Sequence, residues 1–144
     1  MVRTLTLAAA AVAGFASVSH AWLPGHKMRG VNVGTMFVYE PWIDWEEWQR
    51  IGCSGDQKSE FDCVMHLGQD AANSAFQRHY ESWIGTGDLD EMMSYGLNTI
   101  RVPLGYWLKE DLIDSSEHFP RGGLDKLTQF VGAAADRGFY IILE

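Results

Sequence analysis

Arg101 is the residue that packing alone explains least. It follows the apolar part of "YGLNTIRVPLGYW" (residues 95–107), near the C-terminal end of what reads as a buried strand, and Pro103 removes a ladder donor and ends that strand just beyond it. A guanidinium so placed can pair with a carboxylate on a neighbouring strand, orient it and keep it ionised. A purely structural ion pair would use the same residue in the same way. Glu40 stands in "YEPW", and Tyr39, Trp42, Trp45, Tyr106 and Trp107 fall in segments that follow predicted strands. Flat amphipathic rings beside carboxylates suit a ligand with an apolar face and a rim of hydroxyls, which is the chemistry of a sugar ring. The same rings also serve as ordinary core.

The elements that must hold these residues can be read from periodicity. "MRGVNVGT" gives a short β-type alternation around Val31 and Val33 that stops at Gly34. A helix is predicted from about Leu67 to Trp83, with Leu67, Ala71, Ala75, Phe76, Tyr80 and Trp83 at three- and four-residue intervals. In "TGDLDEMMSYG" a second helix is expected, with Asp88 as its cap, Glu91 three residues on and Gly96 as its stop. "LNTIRVP" reads as a strand, and "GGLDKLTQFVGAAADRG" as a helix with Leu124, Leu127, Val131, Ala134 and Ala135 on one stripe and Gly138 as its stop. "FYIILE" is a further apolar strand. Strands joined through helices predict βαβ units and a parallel sheet buried on both faces, in a doubly wound fold or a (β/α)8 barrel. In both, chemistry gathers at the C-terminal ends of the strands. "GVNVGT" lacks the glycine pattern of a phosphate loop, which weakens the nucleotide-binding version.

Composition limits the partners. The 144 residues are 47% hydrophobic and 21% charged, the balance of a globular chain. Residues 1–21 read as a secretory signal peptide: Arg3, the apolar run "LTLAAAAVAGFASV", then "SHA", with the mature chain starting near Trp22. Removing Arg3 leaves ten basic residues against nineteen acidic ones. An acidic chain with no basic run is a poor partner for nucleic acid or a membrane surface, and a neutral substrate fits better. For a secreted, extracellular or cell-wall protein, Cys53 and Cys63 are most simply a disulfide, closing a loop at roughly 2–3 kcal/mol of stabilisation. A zinc site would need two more ligands, and His66 is the one extra candidate nearby. His66, His79 and His118 show no metal spacing with carboxylates and read as surface or loop residues.

Four ordered blocks, "RGVNVGTMFVYEPWI", "KSEFDCV", "GLNTIRVPLGYW" and "SEHFPRGGLDKLTQFVGAAADRGFYIILE", resemble the N-terminal part of the fungal secreted β-glucanases of glycoside hydrolase family 5. The endo-acting β-1,6 group is favoured, with the exo-acting β-1,3 group next. The resemblance implies an α/β fold, a (β/α)8 TIM barrel of which about the first three strands are present, over residues 22–144. It implies retaining hydrolysis of a β-glucan polysaccharide or oligosaccharide by two glutamates roughly 5–5.5 Å apart, without a cofactor. By motif, Arg101 matches the arginine that supports the nucleophile, and Glu40 a glutamate that binds sugar hydroxyls in exo-acting relatives. Trp42, Tyr106 and Trp107 are the other expected sugar contacts.

The same resemblance implies that no catalytic residue lies in this chain. Both catalytic glutamates come from later strands, and Glu144 matches an acidic position without acid/base work. Three strands leave sheet edges unpaired, so residues 22–144 alone are expected to be unstable and inactive, while the full-length enzyme is expected to be a monomer. Two readings of other classes stay open: a non-catalytic glucan-binding remnant, and a secreted interaction protein built on a piece of barrel.

Overall fold

The computed structural model describes residues 25–144. The signal peptide expected over residues 1–21, and the mature start near Trp22, lie outside the described residues. The element order is β1 (Gly30–Asn32), α1 (Trp45–Ile51), α2 (Glu60–Leu67), α3 (Gln69–Ser82), α4 (Thr86–Ser94), β2 (Thr99–Val102), two 3-10 turns (Tyr106–Leu108 and Glu110–Leu112), α5 (Gly123–Asp136) and β3 (Tyr140–Leu143). The strands form one parallel sheet in the order β1-β2-β3. This is the α/β arrangement of strands with helical crossovers that the apolar runs predict.

Register fixes which side chains share a face. Val31, Ile100 and Ile141 are partners across the sheet, and Asn32, Arg101 and Ile142 are partners one step on. Ile100 and Val102 of β2 are fully buried. They belong to one core with Phe76 and Tyr80 of α3 and with Leu127, Phe130 and Ala134 of α5. The segment after β1 supplies Val33, Met36, Phe37 and Tyr39 to that core, with Phe37 against Tyr80 at 5.4 Å and Tyr39 against Trp48 at 4.8 Å between ring centroids. Burying rings of this size supplies roughly 1.5–3 kcal/mol each, which is why a loop with so little regular structure holds one conformation.

Several expectations are corrected. The predicted helix from Leu67 to Trp83 is two helices, because Gly68 at φ 80° and ψ 152° ends α2 and begins α3. The unforeseen α1 starts where the Asp44 carboxylate accepts from the Glu47 N–H at 2.8 Å, and it stops at Gly52 in the left-handed region at φ 108°. Asp88 is not the cap of α4. Gly85 holds that position, and Asp88, three residues on, reaches back to accept from its N–H at 2.7 Å. On α5, Leu124 and Ala135 are exposed and Phe130 takes the buried place, with its ring 6.4 Å from that of Phe37 between centroids. The sheet is not buried on both faces throughout: β2 is, whereas all three residues of β1 are exposed.

Gly30 marks a close approach between β1 and β2. A Cβ built there would lie 2.5 Å from the Thr99 carbonyl oxygen and 2.9 Å from the Thr99 Cβ. Gly30→Val should therefore push β1 off β2 and destabilise the natural protein by about 1–3 kcal/mol, read as a lower denaturant midpoint. An unchanged midpoint would show that β1 can shift without loss.

Candidate functional site

The C-terminal ends of β1 and β2 carry the pair that the sequence singles out. Glu40 and Arg101 line one cleft of about 360 Å³ together with Asn32, Gly34, Val38, Ile43 and Pro103. Arg101 Nε donates to Glu144 Oε2 at 2.7 Å, so the guanidinium does pair with a carboxylate at the end of the neighbouring strand. That bond holds the Glu144 carboxyl below its usual range and raises Arg101, with a smaller contribution from Glu40. Arg101 is 35% exposed and Glu144 65%, so solvent screens the pair and it is a positioning contact more than a source of stability.

Glu40 is aimed by its own turn. Its Oε2 accepts from the Thr35 N–H at 3.3 Å, and Thr35 sits in the left-handed region at φ 66°, uncommon for a β-branched residue. The turn is held from behind by α3. Trp83 Nε1 donates to the Gly34 carbonyl at 2.9 Å, and His79 Nε2 lies 2.8 Å from the Thr35 carbonyl, where only a protonated nitrogen can bond. His79 Nδ1 faces Glu47 at 3.3 Å. Burial lowers the pKa of His79, while Thr35 and Glu47 pull the other way. His79 is thus a buried structural residue, which corrects the surface or loop reading: position 79 lies on the inner face of α3, one step from Phe76 and Tyr80.

A second buried group stands behind the aromatic loops. Glu60, the first residue of α2, accepts from the Tyr39 N–H at 2.7 Å through Oε1. Its Oε2, the Tyr80 hydroxyl and Trp107 Nε1 are buried without a hydrogen-bond partner among the described residues. Burial pushes the Glu60 carboxyl up to about 7, opposed by the Tyr39 hydrogen bond and, to a lesser degree, by the nearby but unbonded Trp107 indole. The charge of Glu60 raises Tyr80 further, beyond what burial does. Cys53 and Cys63 are joined, with their Cα atoms 5.6 Å apart, and the disulfide ties the loop after α1 to α2 three residues beyond Glu60.

No family model matches the chain. It is 56% identical over 128 residues to the glucan endo-1,6-beta-glucosidase B of Emericella nidulans, covering 88% of this chain and 31% of that protein. It is 33% identical over 118 residues to the glucan 1,3-beta-glucosidase of Blumeria graminis, covering 82% of this chain and 27% of that one. Homology to the fungal glucan glucosidases follows. The chain spans 29–40% of the length of the glucan endo-1,6-beta-glucosidase B relatives it matches. Among solved structures it resembles rutinosidase from Aspergillus niger, with a TM-score of 0.70 and 26% identity over 82% of this chain and 32% of that one. A second structure, AoRut, gives a TM-score of 0.69 at 25% identity over 80% of this chain and 31% of that one.

The structure distributes the expected site residues over separate surfaces. Glu40 and Arg101 share the cleft. Trp42 is 78% exposed beside it and lines a different concavity with Trp45. Tyr106 is exposed, its hydroxyl donates to Glu117, and it lines a groove with Leu104, Leu108 and Leu124. Trp107 is half-buried and stacks on Phe119 at 4.4 Å with planes 6° apart, so one face is already covered. Tyr39 is buried core and not a free plate. Sequence reasoning missed Glu60 and His79. For Glu60 the one signal was its place after the capping Ser59, a poor guide because most acids in a first helical turn are solvated.

The raised Glu60 sets a sign for pH. In the unfolded chain Glu60 ionises around 4.5, but in the folded protein only around 7. Its stabilising contribution is complete below pH 4.5 and is lost as pH rises through 7, about 3 kcal/mol in all. His79, lowered by burial, acts oppositely and loses stability as pH falls below 6.5. Glu60→Gln should remove the first effect, so the difference in unfolding free energy between variant and wild type should shift by about 3 kcal/mol in the variant's favour from pH 4.5 to 8. A difference independent of pH would show that Glu60 ionises alike in both states.

Proposed function

We propose that this chain is part of a secreted β-glucan hydrolase that cleaves β-1,6 linkages in endo fashion, and that residues 22–144 supply the first three strands of its (β/α)8 barrel. The reading includes membership of glycoside hydrolase family 5 and a retaining mechanism through two glutamates, neither assigned to residues 22–144. What carries it is the 56% identity to the Emericella nidulans glucan endo-1,6-beta-glucosidase B. The meeting of Glu40 and Arg101 at the C-terminal ends of parallel strands supports it.

In this reading Glu40 accepts hydrogen bonds from sugar hydroxyls, its carboxylate held at the cleft wall by the Thr35 N–H. Arg101 is a positioning residue: it donates to the nucleophilic carboxylate and keeps it ionised and correctly turned, in the way it now holds Glu144. Trp42, Tyr106 and the open face of Trp107 offer apolar surface to the pyranose rings. No cofactor is needed, the enzyme acts as a monomer outside the cell, and the disulfide suits that compartment.

The natural protein is expected to release β-1,6-linked oligosaccharides from a linear β-1,6-glucan faster than products from a β-1,3-glucan. The first anomer seen by NMR should be β. Arg101→Lys should lower kcat by roughly 10- to 100-fold, the weight of one hydrogen bond to a charged group at 1.5–3 kcal/mol. Absence of glucan cleavage by the natural protein, or cleavage by residues 22–144 alone, would overturn the proposal. The glucan-binding remnant draws on the exposed Trp42 and differs in predicting glucan retention without turnover.

A further inference from the structure

Trp42 and Trp45 are large apolar rings left in solvent, 78% and 43% exposed, while other aromatics of the same segment are buried. They line one concavity together with Pro41, Gly55, Gln57 and Lys58. The far side of this concavity belongs to the loop closed by Cys53 and Cys63. That loop is internally braced. Ser54 donates to Gln57 Oε1 from both its N–H and its hydroxyl at 2.9 Å, Lys58 Nζ donates to the Gly55 carbonyl, and the Lys58 N–H donates to Asp62 Oδ2 at 3.0 Å. Because Gln57 uses its oxygen on Ser54, its NH2 group has no acceptor among the described residues. Trp45 approaches the loop so closely that a Cβ at Gly55 would lie 3.7 Å from its ring.

From this geometry we propose that Trp42, Trp45 and Gln57 form an outer sugar-binding platform, distinct from the Glu40–Arg101 cleft, on which a β-glucan chain lies. The two indoles meet the apolar faces of successive pyranose rings, and the Gln57 amide donates to a hydroxyl. Pro41 is the one residue between Glu40 and Trp42, so the cleft wall and the platform are carried by one short stretch of chain. A neutral polymer fits the surroundings. Lys58 is the one charged group lining the concavity, and its ammonium is already turned to a backbone carbonyl. The platform rests on the hydrolase reading for the identity of its ligand. What it adds is a binding surface outside the cleft, anchored by the disulfide.

The test uses the natural secreted protein with an insoluble β-1,6-glucan, read by depletion from solution, and a short soluble β-1,6-gluco-oligosaccharide, read by hydrolysis. Trp45→Ala should weaken retention on the polymer roughly 10-fold, the loss of one stacking contact. Trp45→Phe should restore most of it, and Gln57→Ala should weaken it to a lesser degree. Retention of Trp45→Ala equal to wild type, with wild type still cleaving the oligosaccharide, would overturn the platform and leave the hydrolase reading standing. Failure of wild type both to bind polymer and to cleave oligosaccharide would overturn the hydrolase reading, and the platform with it. Circular dichroism of the Trp45→Ala protein separates lost contact from lost fold: weak retention by an unfolded variant would count against the platform unless Trp45→Phe, folded, binds.

Discussion

The grip of α3 on the backbone after β1 is the constraint on which the cleft depends. Two carbonyls, at Gly34 and Thr35, take hydrogen bonds from the indole of Trp83 and the imidazole of His79. Both donors stand on one helical face, one turn apart, and the helix itself is fixed by Phe76 and Tyr80 in the core. Through these two contacts packing energy in the helical layer becomes directional control over a loop. The loop then sets where the Glu40 carboxylate can go, and Pro41 sets where Trp42 emerges. A buried neutral group bonding a carbonyl is a strong locator, since leaving that carbonyl unpaired would cost about 1–3 kcal/mol.

The second layer of support runs through Glu60. It ties the Tyr39 backbone to the start of α2, and the disulfide ties α2 to the loop after α1. These links share residues with the aromatic stack of Tyr39, Trp48 and Phe76, so the region between β1 and α3 is cross-braced by hydrogen bonds, a covalent bond and ring contacts at once. Trp107, from beyond β2, brings its indole N–H near the same carboxyl without a hydrogen bond between them. Loops following two different strands therefore meet at one buried acid behind the cleft.

Much of this was legible in the residues. The three strands, the helices around Phe76 and Leu127, the glycine stops at Gly96 and Gly138 and the Cys53–Cys63 pairing all follow from period, turn chemistry and compartment. The arginine at position 101 announced a carboxylate partner, and the structure places Glu144 there. What could not be read was anything set by long-range packing. His79 and Glu60 have the local look of solvated helix residues, and only the tertiary fold brings a carbonyl from residue 35 or an amide from residue 39 to them. The single helix expected from Leu67 to Trp83 is broken at Gly68, whose positive φ of 80° ends α2 and lets α2 and α3 lie against each other.

Thr35 shows what this design implies for the chain's history of change. A β-branched residue in the left-handed region carries roughly 1–3 kcal/mol of local strain that glycine would not. Its hydroxyl, at 3.5 Å from the Glu40 carbonyl, recovers little of that. Relief of that strain alone would thus favour glycine at this position, with the turn still held by Trp83 and His79 at the Gly34 and Thr35 carbonyls but with a wider choice of backbone conformations. Thr35 thus carries strain and at the same time narrows the backbone choices beside Glu40, so stability and fixity of the cleft pull in opposite directions within one turn.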